Sequence, residues 1–166
     1  MHFLRICLLF LVLSLGGCAF VGSLPPPQAT WAQATGQIQA SGGQTPIVGE
    51  IVIRYDDQNF LAEVTKGPSL PLLKIYAKGA HAEAVTLRGA LVRGAWRGAP
   101  AKAPANLKAW AALPEVFHWA RHHVSGDDSY RVSVPGIEYN ARRMDGRMTY
   151  LELRSGGERI ICRLQL

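Results

Sequence analysis

Apolar and polar residues alternate along much of this chain in short runs separated by turn-forming residues. Phe60, Ala62 and Val64 alternate with Leu61, Glu63 and Thr65, the period of two that gives a strand one buried face. The predicted strands of the first half are Gly36 to Ala40, Val48 to Tyr55, Asn59 to Thr65, Leu72 to Ala77, Ala82 to Leu87 and Leu91 to Trp96. In the second of them the apolar residues cluster, as Ile51-Val52-Ile53. Asp56-Asp57-Gln58 and Lys78-Gly79-Ala80-His81 tolerate turn dihedrals and read as hairpin turns. Ala99 to Ala105, with Pro100 and Pro104, ends the series. Asn106 can cap a helix from Leu107 to Leu113, and Pro114 suits the first turn of a second helix reaching His122 or His123. Strands return at Tyr130 to Val134, Ile137 to Met144, Met148 to Arg154 and Arg159 to Leu166, with hairpin signals at Asp145-Gly146 and Ser155-Gly156-Gly157. There is no internal repeat. An antiparallel sheet with a helical insertion, an α+β arrangement, is the expected fold class.

The N-terminus follows a different pattern. One basic residue, Arg5, precedes an apolar run from Ile6 to Leu15 broken only by Ser14, the layout of an export signal. The run is shorter than the roughly 20 apolar residues of a membrane-spanning helix, and Gly16-Gly17 and Pro25-Pro26-Pro27 follow it. Leu15-Gly16-Gly17-Cys18 resembles the lipobox of bacterial lipoproteins, which implies cleavage before Cys18 and a diacylglycerol on its sulfur. In that family Ala19, rather than Asp, implies passage to the outer membrane. The alternative is an ordinary secretory signal with a chance cysteine. Ala19 to Ala34 is rich in Pro, Gln, Ala and Ser and reads as a tether. The expected organisation is a signal peptide over 1–17, an acylated cysteine and flexible tether over 18–34, and one folded domain over 35–166. About 150 residues bury about 68–70% of their unfolded surface, and two domains would be crowded.

Charge and cysteine usage narrow the function classes. The chain carries a net charge of +6, its basic residues scattered apart from pairs such as Arg142-Arg143. For an exported protein this means a solvated surface, or attraction to anionic headgroups or to an acidic partner's face, and nucleic acid is not an expected partner. Of the three cysteines, Cys7 lies in the signal and Cys18 is consumed by lipid, so Cys162 has no disulfide partner. It lies in the apolar stretch Ile160-Ile161-Cys162 and is expected to be a small buried thiol. His118, His122 and His123, with Glu115 one turn earlier, raise a metal question, since His at i and i+4 can chelate zinc. The pattern lacks the Glu directly after the first His of a zinc hydrolase, and a solvated polar face is the expectation. No catalytic residues, metal or cofactor are expected, and the sequence has neither a P-loop nor a dinucleotide fingerprint.

The ordered set of segments resembles LolB-like outer-membrane lipoprotein receptors, of the LolA/LolB half-barrel family. The resemblance rests on Gly49 to Leu87, with Lys66-Gly67-Pro68-Ser69-Leu70 followed by Leu72-Leu73-Lys74-Ile75, on Trp110, Leu113-Pro114 and Trp119, and on Gly136-Ile137-Glu138-Tyr139 with the strands to Leu166. Each motif is short, and it is their shared order that carries the likeness. One departure lies between His123 and Tyr130, where family sequence is missing. The resemblance implies an antiparallel half-open β-barrel closed by short helices. It also implies a monomeric, lipid-anchored protein at the periplasmic face of the outer membrane. This would accept the acyl chains of lipoproteins from a LolA-like periplasmic carrier and pass them to membrane lipid, and it would not be an enzyme. The competing expectation is a structural or assembly lipoprotein of the same fold with a filled core, and a third is a metal hydrolase using the helical histidines.

Within that resemblance, Val52, Phe60, Val64, Leu73, Ile75, Leu87, Trp96, Trp110, Phe117 and Trp119 are the candidates to line an acyl-chain cavity. Ordinary core packing is the alternative for each. Leu70 stands where the family's loop carries an exposed leucine needed for membrane insertion, in a shifted register: Ser69 separates it from Pro68, and Pro71 replaces a Gly. It is either a membrane-insertion residue or a leucine folded back on the domain.

Overall fold

The computed structural model describes residues 28, 30–43, 46–67, 70–79, 81–86, 91–94, 107–123, 129–134, 137–145 and 147–165. Within them lie ten strands, β1 (Ala32–Ser41), β2 (Ile47–Tyr55), β3 (Asn59–Lys66), β4 (Leu70–Lys78), β5 (His81–Thr86), β6 (Leu91–Gly94), β7 (Ser129–Val134), β8 (Ile137–Met144), β9 (Arg147–Ser155) and β10 (Glu158–Gln165), and one helix, α1 (Lys108–His123), between β6 and β7. All the strands join one antiparallel sheet in the order β6-β5-β4-β3-β2-β1-β10-β9-β8-β7. Hairpins follow the chain, and one long-range pairing, β1 with β10, joins the two halves.

Local chemistry explains the turns. Gly156 and Gly157 both have positive φ, at 55° and 91°, and connect the paired residues Ser155 and Glu158. This is the two-residue geometry that matches strand twist. Asp145 adopts φ 52°, as Asp tolerates better than most residues. Between β2 and β3, Asp56 Oδ1 accepts the backbone N–H groups of Gln58 at 2.7 Å and Asn59 at 2.6 Å, an aspartate-closed turn.

One face of the sheet is apolar across its width. Ile51 pairs with Val64 and Ile53 with Ala62, Val64 with Leu73 and Ala62 with Ile75, Ile38 with Cys162, and Cys162 with Leu151. All of these residues are buried. Helix α1 lies on this face, touching β4 on one side and β8, β9 and β10 on the other. On a flat sheet β4 and β8 would stand six strand spacings apart, roughly 29 Å, whereas a helix is only about 10–12 Å wide. The sheet therefore curls around α1. Gly36 marks one point of close approach: a Cβ there would stand 2.0 Å from the Arg163 carbonyl oxygen, so only glycine lets β10 fold this closely over β1.

Three fold-level expectations are corrected. Among the described residues the sheet does not close into a barrel, since β6 and β7 form its two edges, and those residues are essentially all-β with one helix rather than an α+β half-barrel closed by short helices. The connection from β6 to β7 runs through α1, which fills the inside of the curl instead of bridging its rim. The predicted helix pair is also one helix, with Pro114 inside it. A proline there removes a backbone hydrogen bond and costs about 3 kcal/mol. Continuing the helix offsets this by burying Val116, Phe117 and Ala120 on the face already used by Ala109, Trp110 and Leu113. The strand β1 begins at Ala32, so the last residues of the expected tether belong to the sheet.

Candidate functional site

The ends of α1 are fixed by different means. At its N-terminus the Ala109 N–H donates to Glu158 Oε2 at 3.3 Å, satisfying one of the helix's open donors from the start of β10. At its C-terminus Arg143 Nη1 donates to the Arg121 carbonyl at 3.2 Å. Arg121 Nη2 donates to Asp57 Oδ1 at 2.9 Å, and its guanidinium lies 4.8 Å from the centre of the Tyr55 ring. Cations in the last helical turn also complement the helix dipole.

Between these ends an aromatic cluster anchors the helix. The Phe117 ring meets Tyr55 at 4.9 Å and Phe60 at 5.5 Å between centroids, both edge to face, and Trp119 meets Tyr139 of β8 at 5.4 Å. Such pairs add to the area buried. Six of the expected cavity residues, Phe60, Val64, Leu73, Ile75, Trp110 and Phe117, belong to one buried cluster with the helix, and Trp119 packs against it while half-buried. The structure brings these residues together as a core that α1 fills.

Val52 is placed otherwise. It lies on the outer face, paired with Thr35 and Glu63, and does not belong to the cluster. Three consecutive apolar residues leave the face undecided by alternation, and the pairing of Ile51 with Val64 and Ile53 with Ala62 decides it. Leu87, Trp96, Asn106 and Cys18, together with the signal peptide and the shortened segment after His123, lie outside the described residues.

Leu70 opens β4 opposite Lys66 and is 49% exposed. A register shift between Val64 and Thr65 follows it in the ladder and lets Leu72 as well as Leu73 reach the core. Val48, 66% exposed, belongs to the same end of the sheet. Among the described residues no helix is long and apolar enough to cross a membrane.

Where the helix C-terminus meets β1, β2, β8, β9 and β10, a cavity of about 310 Å³ opens to solvent. Ala34, Tyr55, Phe117, Met148 and Leu164 give it apolar walls, and Arg121, Arg143 and Arg147 complete its lining. The three arginines come from three elements and their spacing carries no motif, so this arrangement is not legible in the sequence.

The remaining chemistry is structural. His118 and His122 stack edge to face at 4.7 Å, and the His123 ring lies flat on Trp119 at 4.7 Å. Among the described residues no group of three His, Cys, Asp or Glu is placed to hold a metal. Cys162 is fully buried on the inner face of β10, and burial pushes its thiol up to about 12, which leaves it unreactive. On the outer face Glu152 accepts from Tyr150 Oη at 2.7 Å, Arg154 Nε at 2.8 Å and Arg159 Nε at 2.7 Å. Burial alone would raise its carboxyl, but these three donors bring it down to about 2.

No protein-family model matches the chain, and comparison with curated proteins finds no match.

Proposed function

We propose that this protein is a lipid-anchored receptor at the periplasmic face of the outer membrane, accepting the acyl chains of lipoproteins from a LolA-like soluble carrier and releasing them into the bilayer. The observation that carries this reading is the apolar, curled inner face of the sheet, covered by one helix whose small side chains Ala109, Ala112 and Ala120 are all buried. If α1 swings away, Ile51, Ile53, Val64, Ile75, Leu151 and Leu153 become a continuous trough. An acyl chain then fills the trough beneath the lifted helix, whose inner side chains, Trp110 among them, close over it, at about 0.8 kcal/mol for each methylene withdrawn from water. With no nucleotide-binding motif in the sequence, the handover runs downhill from carrier to receptor to membrane. Cys18 supplies the anchor, and the exposed Leu70 supplies an apolar contact with the bilayer at one end of the sheet.

The test is a transfer assay. A carrier loaded with a fluorescent triacylated lipopeptide is mixed with the protein, and then with vesicles of outer-membrane phospholipid. Movement of the lipopeptide onto the protein and then to the vesicles supports the reading; failure of the first step refutes it.

The competing reading is a tethered assembly protein that acts through its surface. It is favoured by one observation, the depth at which Trp110, Leu113 and Phe117 occupy the curl. A protein that takes up no lipopeptide but keeps its fold would decide for that alternative.

A further inference from the structure

We propose that the cavity at the C-terminal end of α1 is a binding site for single-chain lipids with an anionic head. Its lining combines two chemistries that an anionic amphiphile needs together. Ala34, Phe117, Met148 and Leu164 form apolar walls, and three basic residues, Arg121, Arg143 and Arg147, complete the same lining. At about 310 Å³ it falls at the lower end of the range of about 300–1,000 Å³ for small-molecule sites, enough for the head and upper part of one chain.

The charge carried by the described residues of the lining is positive only. None of the described residues lining the cavity is acidic. The carboxylate paired with Arg121 belongs to Asp57, whose side chain is 84% exposed, so it stands toward solvent. A guanidinium has five donors in a planar fork that fits carboxylate and phosphate oxygens, and a low-dielectric wall strengthens each such contact.

The cluster is also built to hold still. Arg143 is tied to the last turn of the helix through the Arg121 carbonyl, Arg121 is held by Asp57 and by the face of Tyr55, and Tyr55 packs on Phe117 in the cavity wall. Arginines positioned in advance lose less freedom on binding. The sources of the shared chemistry are a fatty-acid carboxylate and a lysophospholipid phosphate.

This site does not rest on the receptor reading. The acylated cysteine of a lipoprotein carries no anionic head, so its transfer is indifferent to the arginines.

The experiment titrates the full chain, made without lipid attachment in a cell-free system, with cis-parinaric acid and with its methyl ester, following the probe's fluorescence. The acid is expected to bind at least tenfold more tightly than the ester. Arg147→Glu and Arg121→Gln remove that preference, and Arg147→Lys retains part of it. Arg163→Gln, on the outer face of β10, leaves it unchanged. Every variant keeps the same N-terminal apolar segment, so probe bound there cancels in the comparison.

Competition with palmitate and with lysophosphatidylglycerol then identifies the head, and displacement by either supports the site. Equal binding of acid and ester, insensitivity to Arg147→Glu in a chain with unchanged circular dichroism, or displacement by neither lipid would overturn it.

Discussion

Replacing Glu152 with Gln tests the electrostatic account of the outer face. The carboxylate side chain is only 10% exposed and accepts from Tyr150, Arg154 and Arg159. Its pKa lies near 2 against 4.5 in the unfolded chain. That difference corresponds to at most about 3.4 kcal/mol at neutral pH, at 1.36 kcal/mol per unit. Arg154 and Arg159 have about half their side-chain surface in water, which screens them, and Gln keeps the shape and some of the hydrogen bonds. The expected loss is therefore about 1–2 kcal/mol. The sign with pH follows from the lowered pKa: the stabilisation is fully present above about pH 5 and disappears as pH falls from 4.5 through 2. Urea unfolding of both proteins, followed by tryptophan fluorescence at pH 7, 4 and 2.5, should give a gap that narrows steadily as pH falls. No gap at pH 7, or the same gap at pH 2.5, would refute the reasoning.

Three further outcomes are expected. Gly36→Ala, whose Cβ would stand 2.0 Å from the Arg163 carbonyl oxygen, should lower stability by at least about 2 kcal/mol, whereas Gly43→Ala, with only the Glu158 side chain at 3.5 Å, should shift the urea midpoint little. Cys162 should resist iodoacetamide at pH 8 in the native protein and react once guanidinium unfolds it, as read by peptide mass spectrometry; rapid native labelling would contradict its burial. Leu70→Glu should leave lipopeptide uptake intact while slowing release to vesicles, and unchanged release would remove Leu70 from the mechanism.

The strands were legible in the sequence because their signals are local. Phe60, Ala62 and Val64 alternate within one strand, and Asp56, Asp145, Gly156 and Gly157 each carry the turn chemistry that the backbone uses. All ten strands lie where the alternation and the turn formers put them, with ends shifted by a few residues. What escaped depends on partners far away in the chain. The face of Val52 is fixed by β3 through register. The continuity of α1 through Pro114 is fixed by the sheet that buries Val116 and Phe117. The open edges at β6 and β7 depend on where the helix lies, and no run of residues encodes that. The cavity was invisible for the same reason: Arg121, Arg143 and Arg147 read as scattered surface charge until the curl of the sheet brings β8 and β9 to the end of the helix.

The inner face of the sheet beneath α1 is where the account places an acyl chain, and Trp110 reports on it directly, being buried against that face. A chain keeping Trp110 alone, with Phe at Trp31, Trp96 and Trp119, would be mixed with a carrier loaded with a lipopeptide brominated along its acyl chains. The account predicts that Trp110 fluorescence is quenched as the lipopeptide transfers. Full transfer with Trp110 unquenched, or no transfer to a correctly folded chain, would contradict it.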